Sequence, residues 1–257
     1  MARFFVDPEQ IRGDFIELAG PEVRHLRQVL RLRPGDIITI LDGQGNAYQA
    51  AISGFSGGRA QCRVLSREPA GGEPPLKVIL VQGLPKGDKM EAIIQKGTEL
   101  GLAGLMPAQC ARSVVRLEGR KALERRERWQ RVALEAAKQC RRAVAPRVEA
   151  PRPWAGVMDS LPPGSLVLMP WEGETVRSLR QVLEQCPGVA GGEVVVYILI
   201  GPEGGFEPAE VELARSRGAV TVSLGPRILR TETAGPALLA VLMYLWGDLG
   251  GSDKDEG

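Results

Sequence analysis

Two arginines and a cluster of glycines are the groups in this chain best placed to do chemistry. Residues 197–233 read YILIGPEGGFEPAEVELARSRGAVTVSLGPRILRTET. An apolar strand pattern at 197–200 runs into Gly201-Pro202-Glu203-Gly204-Gly205. A helix pattern follows, then a second strand pattern at 220–224, which ends in Gly225-Pro226-Arg227-Ile228-Leu229-Arg230. Two glycine-containing loops thus leave the carboxyl ends of two strands, the place where open α/β sheets bind small ligands. Glycine lets the backbone approach a ligand closely and take positive φ. Arg227 and Arg230 would set fixed positive charge and planar donors beside it. The spacing matches neither G-x-x-x-x-G-K-[ST] nor G-x-G-x-x-G, so the Walker loop and the Rossmann fingerprint are both absent. GPEGG alone reads equally well as a tight turn; the second loop makes the pair specific.

Such loops need a sheet behind them. From residue 75 to residue 248 strand patterns (77–81, 105–107, 166–169) alternate with helix patterns (88–100, 121–142, 175–184, 234–246). That alternation predicts an α/β domain with a mostly parallel sheet. Residues 1–70 differ, with short strands at 16–18, 37–41, 48–53 and 60–65 and a helix at 21–30. Asp42-Gly43-Gln44-Gly45-Asn46 is a hairpin turn, and the whole suggests a small β-barrel. Residues 69–75 read as a linker, and the polar tail at 249–257 is expected to be disordered.

The chain has 257 residues and is 44% apolar, ample for one large core or two smaller ones. No apolar run reaches the ~20 residues that span a bilayer. The start, MARFFVDPEQ, carries no secretion-signal pattern. Cys62, Cys110, Cys140 and Cys186 are scattered, no C-x-x-C occurs, and there is one histidine, so we expect no metal site and reduced cytoplasmic thiols. A net charge of +2 conceals a basic segment: residues 112–147 hold twelve Arg/Lys against four Glu. Arginine suits phosphate because its fork donates two bonds at once. The same run also reads as a solvated helix face.

IGPEGGF followed by LGPRILRTETA resembles the RsmE family of SPOUT methyltransferases, which modify N3 of a uridine in small-subunit (16S) ribosomal RNA. Arg3-Phe4-Phe5-Val6, the run HLRQVLRLRPGD from His25, Lys86-Gly87-Asp88-Lys89-Met90, QKGTELG from Gln95 and EAAKQC from Glu135 are similar to further family signatures, in order along nearly the whole chain. The resemblance implies a SPOUT-type trefoil-knotted α/β domain behind a PUA-like RNA-binding barrel. It also implies S-adenosylmethionine as methyl donor and a homodimer acting on 16S rRNA in the small ribosomal subunit. None of these follows from composition or periodicity. One departure is Glu207, where the family usually places Ser or Thr; Pro208 and Glu210 keep the helix start favourable.

By resemblance, Ile200, Gly201, Glu203, Gly204 and Gly205 would border the donor. Leu224, Gly225, Ile228 and Leu229 would face the adenine, although Ile228 and Leu229 also read as core. Met169 and Pro170 would form a third wall. Charge building on the uridine N3 and its flanking oxygens needs a positive partner, and Arg230 sits in the right loop; it is otherwise an ion-pair partner of Glu232 or a structural cap. Arg3, His25, Arg31, Arg33, Arg112, Arg142 and Arg227 are the RNA-contact candidates, with Ser113 beside them. His25 also admits a structural role. Phe4, Phe5 and Tyr48 read as base-stacking or as core. A related enzyme methylating ribose O2′ and a noncatalytic assembly factor on the same fold are the rival readings.

Overall fold

The computed structural model describes residues 3–186 and 195–251. Residues 252–257 of the expected polar tail lie outside the described residues. The chain divides into two compact units: Met1–Glu73 with Ala137–Ala145, and Pro74–Ala136 with Pro146–Gly257.

In the first unit, strands β1 (Arg3–Phe5), β2 (Ile11–Arg12), β3 (Phe15–Leu18), β4 (Ile37–Leu41), β5 (Asn46–Ser56) and β6 (Arg59–Pro69) form one sheet. Its order is β1-β4-β5-β6-β3-β2, and β1 pairs β4 in parallel while the others pair antiparallel. The hydrogen-bonded path therefore ends at β1 and β2, and strand pairing alone does not close the expected barrel. Alternate residues build the core: Ile16, Ile38, Ile40, Ala50, Ile52 and Cys62 point inward, with Phe4 of β1 and Leu26 of a turn-rich helical segment. That segment is α1 (Pro21–Arg24), which widens into a π-turn over His25–Val29. The hairpin turn is organised by Asp42. Its carboxylate accepts from the N–H of Gln44 and of Asn46 and from Asn46 Nδ2. Burial alone would raise its pKa, but these bonds and that from Tyr48 outweigh it and hold the group below its usual value.

In the second unit the strands are β7 (Lys77–Gly83), β8 (Gly104–Gln109), β9 (Arg147–Val148), β10 (Arg152–Pro153), β11 (Leu166–Pro170), β12 (Val195–Ile200) and β13 (Val220–Val222). All pairings are parallel, in the order β10-β8-β7-β12-β11-β13 with β9 on β8. The helices are α2 (Lys89–Glu99), α3 (Gly119–Gln139), α4 (Trp154–Asp159), α5 (Leu179–Glu184), α6 (Pro208–Ser216) and α7 (Thr231–Trp246). Strand residues alternate between two cores. Leu80, Leu168, Val196, Ile198 and Val222 meet α2, α3, α5 and α7 on one face. Val81, Met106, Val167, Met169, Tyr197 and Leu199 meet α4 and α6 on the other. Each such fully buried side chain contributes about 2 kcal/mol.

Five elements of this unit depart from the sequence reading. The helix expected over 175–184 starts only at Leu179, because Glu174 captures the N–H groups of Val176 and Arg177 and Ser178 caps the helix through Gln181. The helix expected to reach residue 142 stops at Gln139, where Arg141 takes φ +65° and Arg142 N–H bonds back to the Ala137 carbonyl. Strands β9 and β10, two residues each, and the short α4 carry too little periodicity to be read from sequence.

Candidate active site

The carboxyl ends of β12, β11 and β13 and the start of α7 enclose a cavity of about 1080 Å³. The β12 loop turns tightly, Gly205 N–H donating to the Pro202 carbonyl at 2.9 Å with Gly205 at φ +68°. Gly225 in the β13 loop takes φ +103°. Both are backbone positions that side-chain-bearing residues rarely adopt. The β11 loop adds Trp171, Glu172, Glu174 and Thr175.

A buried polar knot fixes the loops to one another. Gln82, fully buried at the end of β7, donates through Nε2 to Thr231 Oγ1 (2.8 Å) and to the Gly83 carbonyl (3.0 Å). Thr231 Oγ1 donates onward to the Gly201 carbonyl at 2.6 Å. The first residue of α7 is thereby tied to the first residue of the glycine loop. On the other wall, Glu174 accepts from Thr221 Oγ1 (2.6 Å), Val176 N–H and Arg177 N–H. Those bonds, the Thr221 one foremost, pull its pKa down to about 2.

Lys89, at the start of α2, lines the cavity and bridges two carboxylates. Its Nζ lies 3.0 Å from Glu203 Oε1 and 3.3 Å from Glu232 Oε2. Glu203 also accepts the Lys86 N–H at 3.1 Å. Arg230 is the N-cap residue of α7 through its backbone: its carbonyl accepts from the N–H groups of Thr233 and Ala234. Its side chain makes no cap bond. Glu232 Oε2 lies against Lys89, and among the described residues the exposed Arg230 guanidinium is within ion-pair distance of no carboxylate, although its charge still acts on Glu232.

The cavity so built has recognisable relatives. The RNA methyltransferase domain family matches residues 72–243, and the RNA methyltransferase PUA domain family matches residues 18–65. The chain is 36% identical to the ribosomal RNA small subunit methyltransferase E of Bacillus subtilis (strain 168), covering 95% of this chain and 96% of that one. Its identity to the protein of the same name from Mycobacterium tuberculosis is 33%, over 94% and 91% of the two chains. The crystal structure of the Neisseria gonorrhoeae ribosomal RNA small subunit methyltransferase E bound to S-adenosyl methionine superposes with a TM-score of 0.83 at 32% identity, over 97% and 99%. A Legionella pneumophila structure in complex with the bound cofactor SAM gives 0.82 at 30% identity, over 96% and 98%.

The chain belongs to the ribosomal RNA small subunit methyltransferase E family.

Within this family member, the structure gathers Pro170, Ile200, Gly201, Glu203, Gly204, Gly205, Leu224, Gly225, Arg227, Ile228, Leu229 and Arg230 around the one cavity. Ile228 is 84% exposed, whereas Leu224 and Leu229 also pack on the α7-side core. Met169 needs correction as a wall residue. Alternation along β11 turns its side chain into the α4/α6 core at 0% exposure, and Trp171 and Glu172 take the wall beyond Pro170.

Of the RNA-contact candidates, Arg3, His25, Arg31 and Arg33 are exposed on the first unit. Arg3 donates to the Arg141 carbonyl, and His25 stands edge-on to Phe4 at 6.1 Å. Arg142 is corrected. It is 7% exposed and its guanidinium pairs with Glu73 at 2.7 Å, so its charge is spent inside the first unit. Phe4 and Tyr48 are core. Ser113 is buried and donates no surface; it accepts the Cys110 N–H. Arg112 half-covers the glycine loop, donating to the Gly204 carbonyl at 3.0 Å. Gln82, Lys89, Thr231 and Glu174 escaped the sequence reading as site residues. Lys86-Gly87-Asp88-Lys89-Met90 was a visible signature, but nothing local connects it to Glu203, more than a hundred residues later. Among the described residues no three His, Cys, Asp or Glu side chains gather as a metal site, and no helix is long and apolar enough to cross a membrane.

Proposed function

We propose that this protein transfers a methyl group from S-adenosylmethionine to N3 of a uridine in small-subunit ribosomal RNA. The observation that carries it is an unpaired arginine, Arg230, at the mouth of a glycine-walled cavity at the carboxyl ends of parallel strands. A volume of about 1080 Å³ accommodates a donor of this size, and the walls offer backbone groups of Gly201, Leu224 and Gly225 with the apolar Ile200, Ile228 and Leu229. Bound there, S-adenosylmethionine supplies the methyl group. The protein's work is positioning and charge. Arg230 stabilises the negative charge that develops across N3 and its neighbouring carbonyl oxygens as the proton leaves. Arg227 adds a second cation for RNA phosphate or the donor carboxylate. The loops hold both partners in line, since alignment is the larger share of such a reaction.

The same reading includes a trefoil knot and a homodimer, acting in the cytoplasm. The knot is supported by α7, which leaves the β13 loop, ties Thr231 to Gly201, and packs Gly235 on Leu80 and Ile200. The dimer is supported by an exposed apolar stripe on α7 and just after it, Val241, Tyr244, Leu245 and Leu249. Exposed Arg3, Arg31 and Arg33 on the PUA-like unit serve as phosphate contacts. The test is incubation with labelled donor and unmodified small ribosomal subunits, then nucleoside analysis by mass spectrometry. N3-methyluridine at one site is the expected product. A ribose-methylated nucleoside would transfer the reaction to O2′, and measurable donor binding without any product would refute the substrate.

A further inference from the structure

Arg230 and Glu232 stand two residues apart at the start of one helix. A glutamate in a helix's first turn is favoured by the helix dipole, and the arginine two residues before it is a competing partner whose charge reaches it. That pairing would cancel the charge the proposed reaction needs. The structure shows a different pairing. Lys89 reaches in from α2 and lies 3.3 Å from Glu232 Oε2, while its other contact, Glu203 Oε1 at 3.0 Å, is itself held by the Lys86 N–H. The lysine is thus anchored at one carboxylate while it occupies the other.

We infer that Lys89 is a positioning residue for Arg230: by holding Glu232 it keeps that carboxylate off the arginine and leaves the guanidinium free to face the substrate. The inference rests on the proposed methyl transfer. Glu203 and Glu232 raise the pKa of Lys89. Against burial, the N–H groups and Lys89 lower that of Glu203; its own N–H first, then Lys89, and last the more distant charge of Arg230, lower that of Glu232. All three therefore stay charged around neutrality. Counting Arg230, two cations face two anions, but the geometry assigns both anions to one cation.

The test is a cycle of variants assayed for kcat on small subunits and for donor affinity. Lys89→Met should lower kcat about 30-fold, the loss of a charge-stabilising donor's freedom rather than its removal, with donor Kd changed by less than about threefold. Glu232→Gln in the Lys89→Met background should restore most of kcat, because the competing carboxylate is gone. Lys89→Arg should retain activity. In nitrogen-15 spectra, Arg230 Nε–H exchange should slow in Lys89→Met and recover in the double variant. Full activity in Lys89→Met, or a loss that Glu232→Gln fails to relieve, overturns the inference and makes the lysine a mere structural brace. If the wild-type protein transfers no methyl group, the proposed function fails instead, and the Arg230 exchange rate still reports whether Lys89 controls the pairing.

Discussion

Charged side chains serve two different ends, which the inside of the first unit and the cavity of the second show side by side. Those held inside the first unit are consumed by internal partners. Arg142 is 7% exposed and locked to Glu73, whose second oxygen accepts the N–H groups of Ala143 and Val144. Asp42 is enclosed by four donors. In the second unit, the carboxylates around the cavity also have partners: Glu203 and Glu232 lie within ion-pair distance of Lys89, and Glu174 accepts from Thr221 and two N–H groups, although Glu232 Oε2 has no hydrogen-bond partner among the described residues. Yet the arginines among them, Arg227 and Arg230, are left exposed. A charge that is fully paired does structural work; an unpaired one held at a fixed place is available for chemistry. The contrast ranks the substitutions.

The largest effect belongs to the unpaired cation. Arg230→Ala should lower kcat about 10³-fold, near 4 kcal/mol of transition-state stabilisation, while donor affinity stays within about tenfold. Single-turnover methylation with calorimetric donor binding separates the two. A collapse of donor binding with little change in the chemical step would move Arg230 from the reaction to the donor site.

Next comes the paired cation's partner. Glu73→Ala strands Arg142 in a buried site and leaves two N–H groups without their acceptor, which should cost about 3 kcal/mol of stability. Urea unfolding measures it. Because Glu73, Arg142, Ala143 and Val144 all belong to the first unit, donor affinity should not change. A variant that kept its stability would show that this ion pair is no stronger than an exposed one.

Much of this contrast was open to the sequence, and the part that was not has a physical reason. β12, β13 and the two glycine loops announce themselves because apolar runs and glycine punctuation are local signals, and Arg227 and Arg230 come with them. The partners are not local. Gln82 meets Thr231 across 149 positions, and the Lys89 signature gains a role only when β12 brings Glu203 beside it. Arg142 looked like its neighbours in a basic helix; the left-handed turn at Arg141 ends that helix and sends the side chain inward. Met169 is implied as a wall residue only by resemblance, from its place at the end of a strand, and there strand alternation decides its direction.

A smaller effect should appear in acid. Glu174 has an ordinary value of 4.5 and is held at about 2 by Thr221 and the N–H groups of Val176 and Arg177. Its folded pKa lies below its unfolded one, so its contribution is complete above about pH 4.5 and is lost as the pH falls toward 2. Glu174→Gln should therefore lower stability at neutral pH and flatten the stability–pH curve within that window. A curve parallel to the wild type between those limits would assign the acid sensitivity to other carboxylates.

The smallest effect is the one that sets Arg33 against Arg142. Both were RNA candidates by residue type and neighbourhood, but Arg33 is exposed and Arg142 is spent on Glu73. A phosphate contact contributes through counterion release, so losing one should reduce the slope of log K against log salt by about 0.7–0.9 and leave folding alone. Arg33→Gln should do that, with unfolding unchanged. Arg142→Gln should do the reverse, destabilising the first unit while the salt slope of the surviving folded protein stays at its wild-type value. If Arg142→Gln instead flattened the salt dependence, burial in the free protein would be a poor guide to which arginines meet RNA, and the division between spent and available charge would hold only for the cavity.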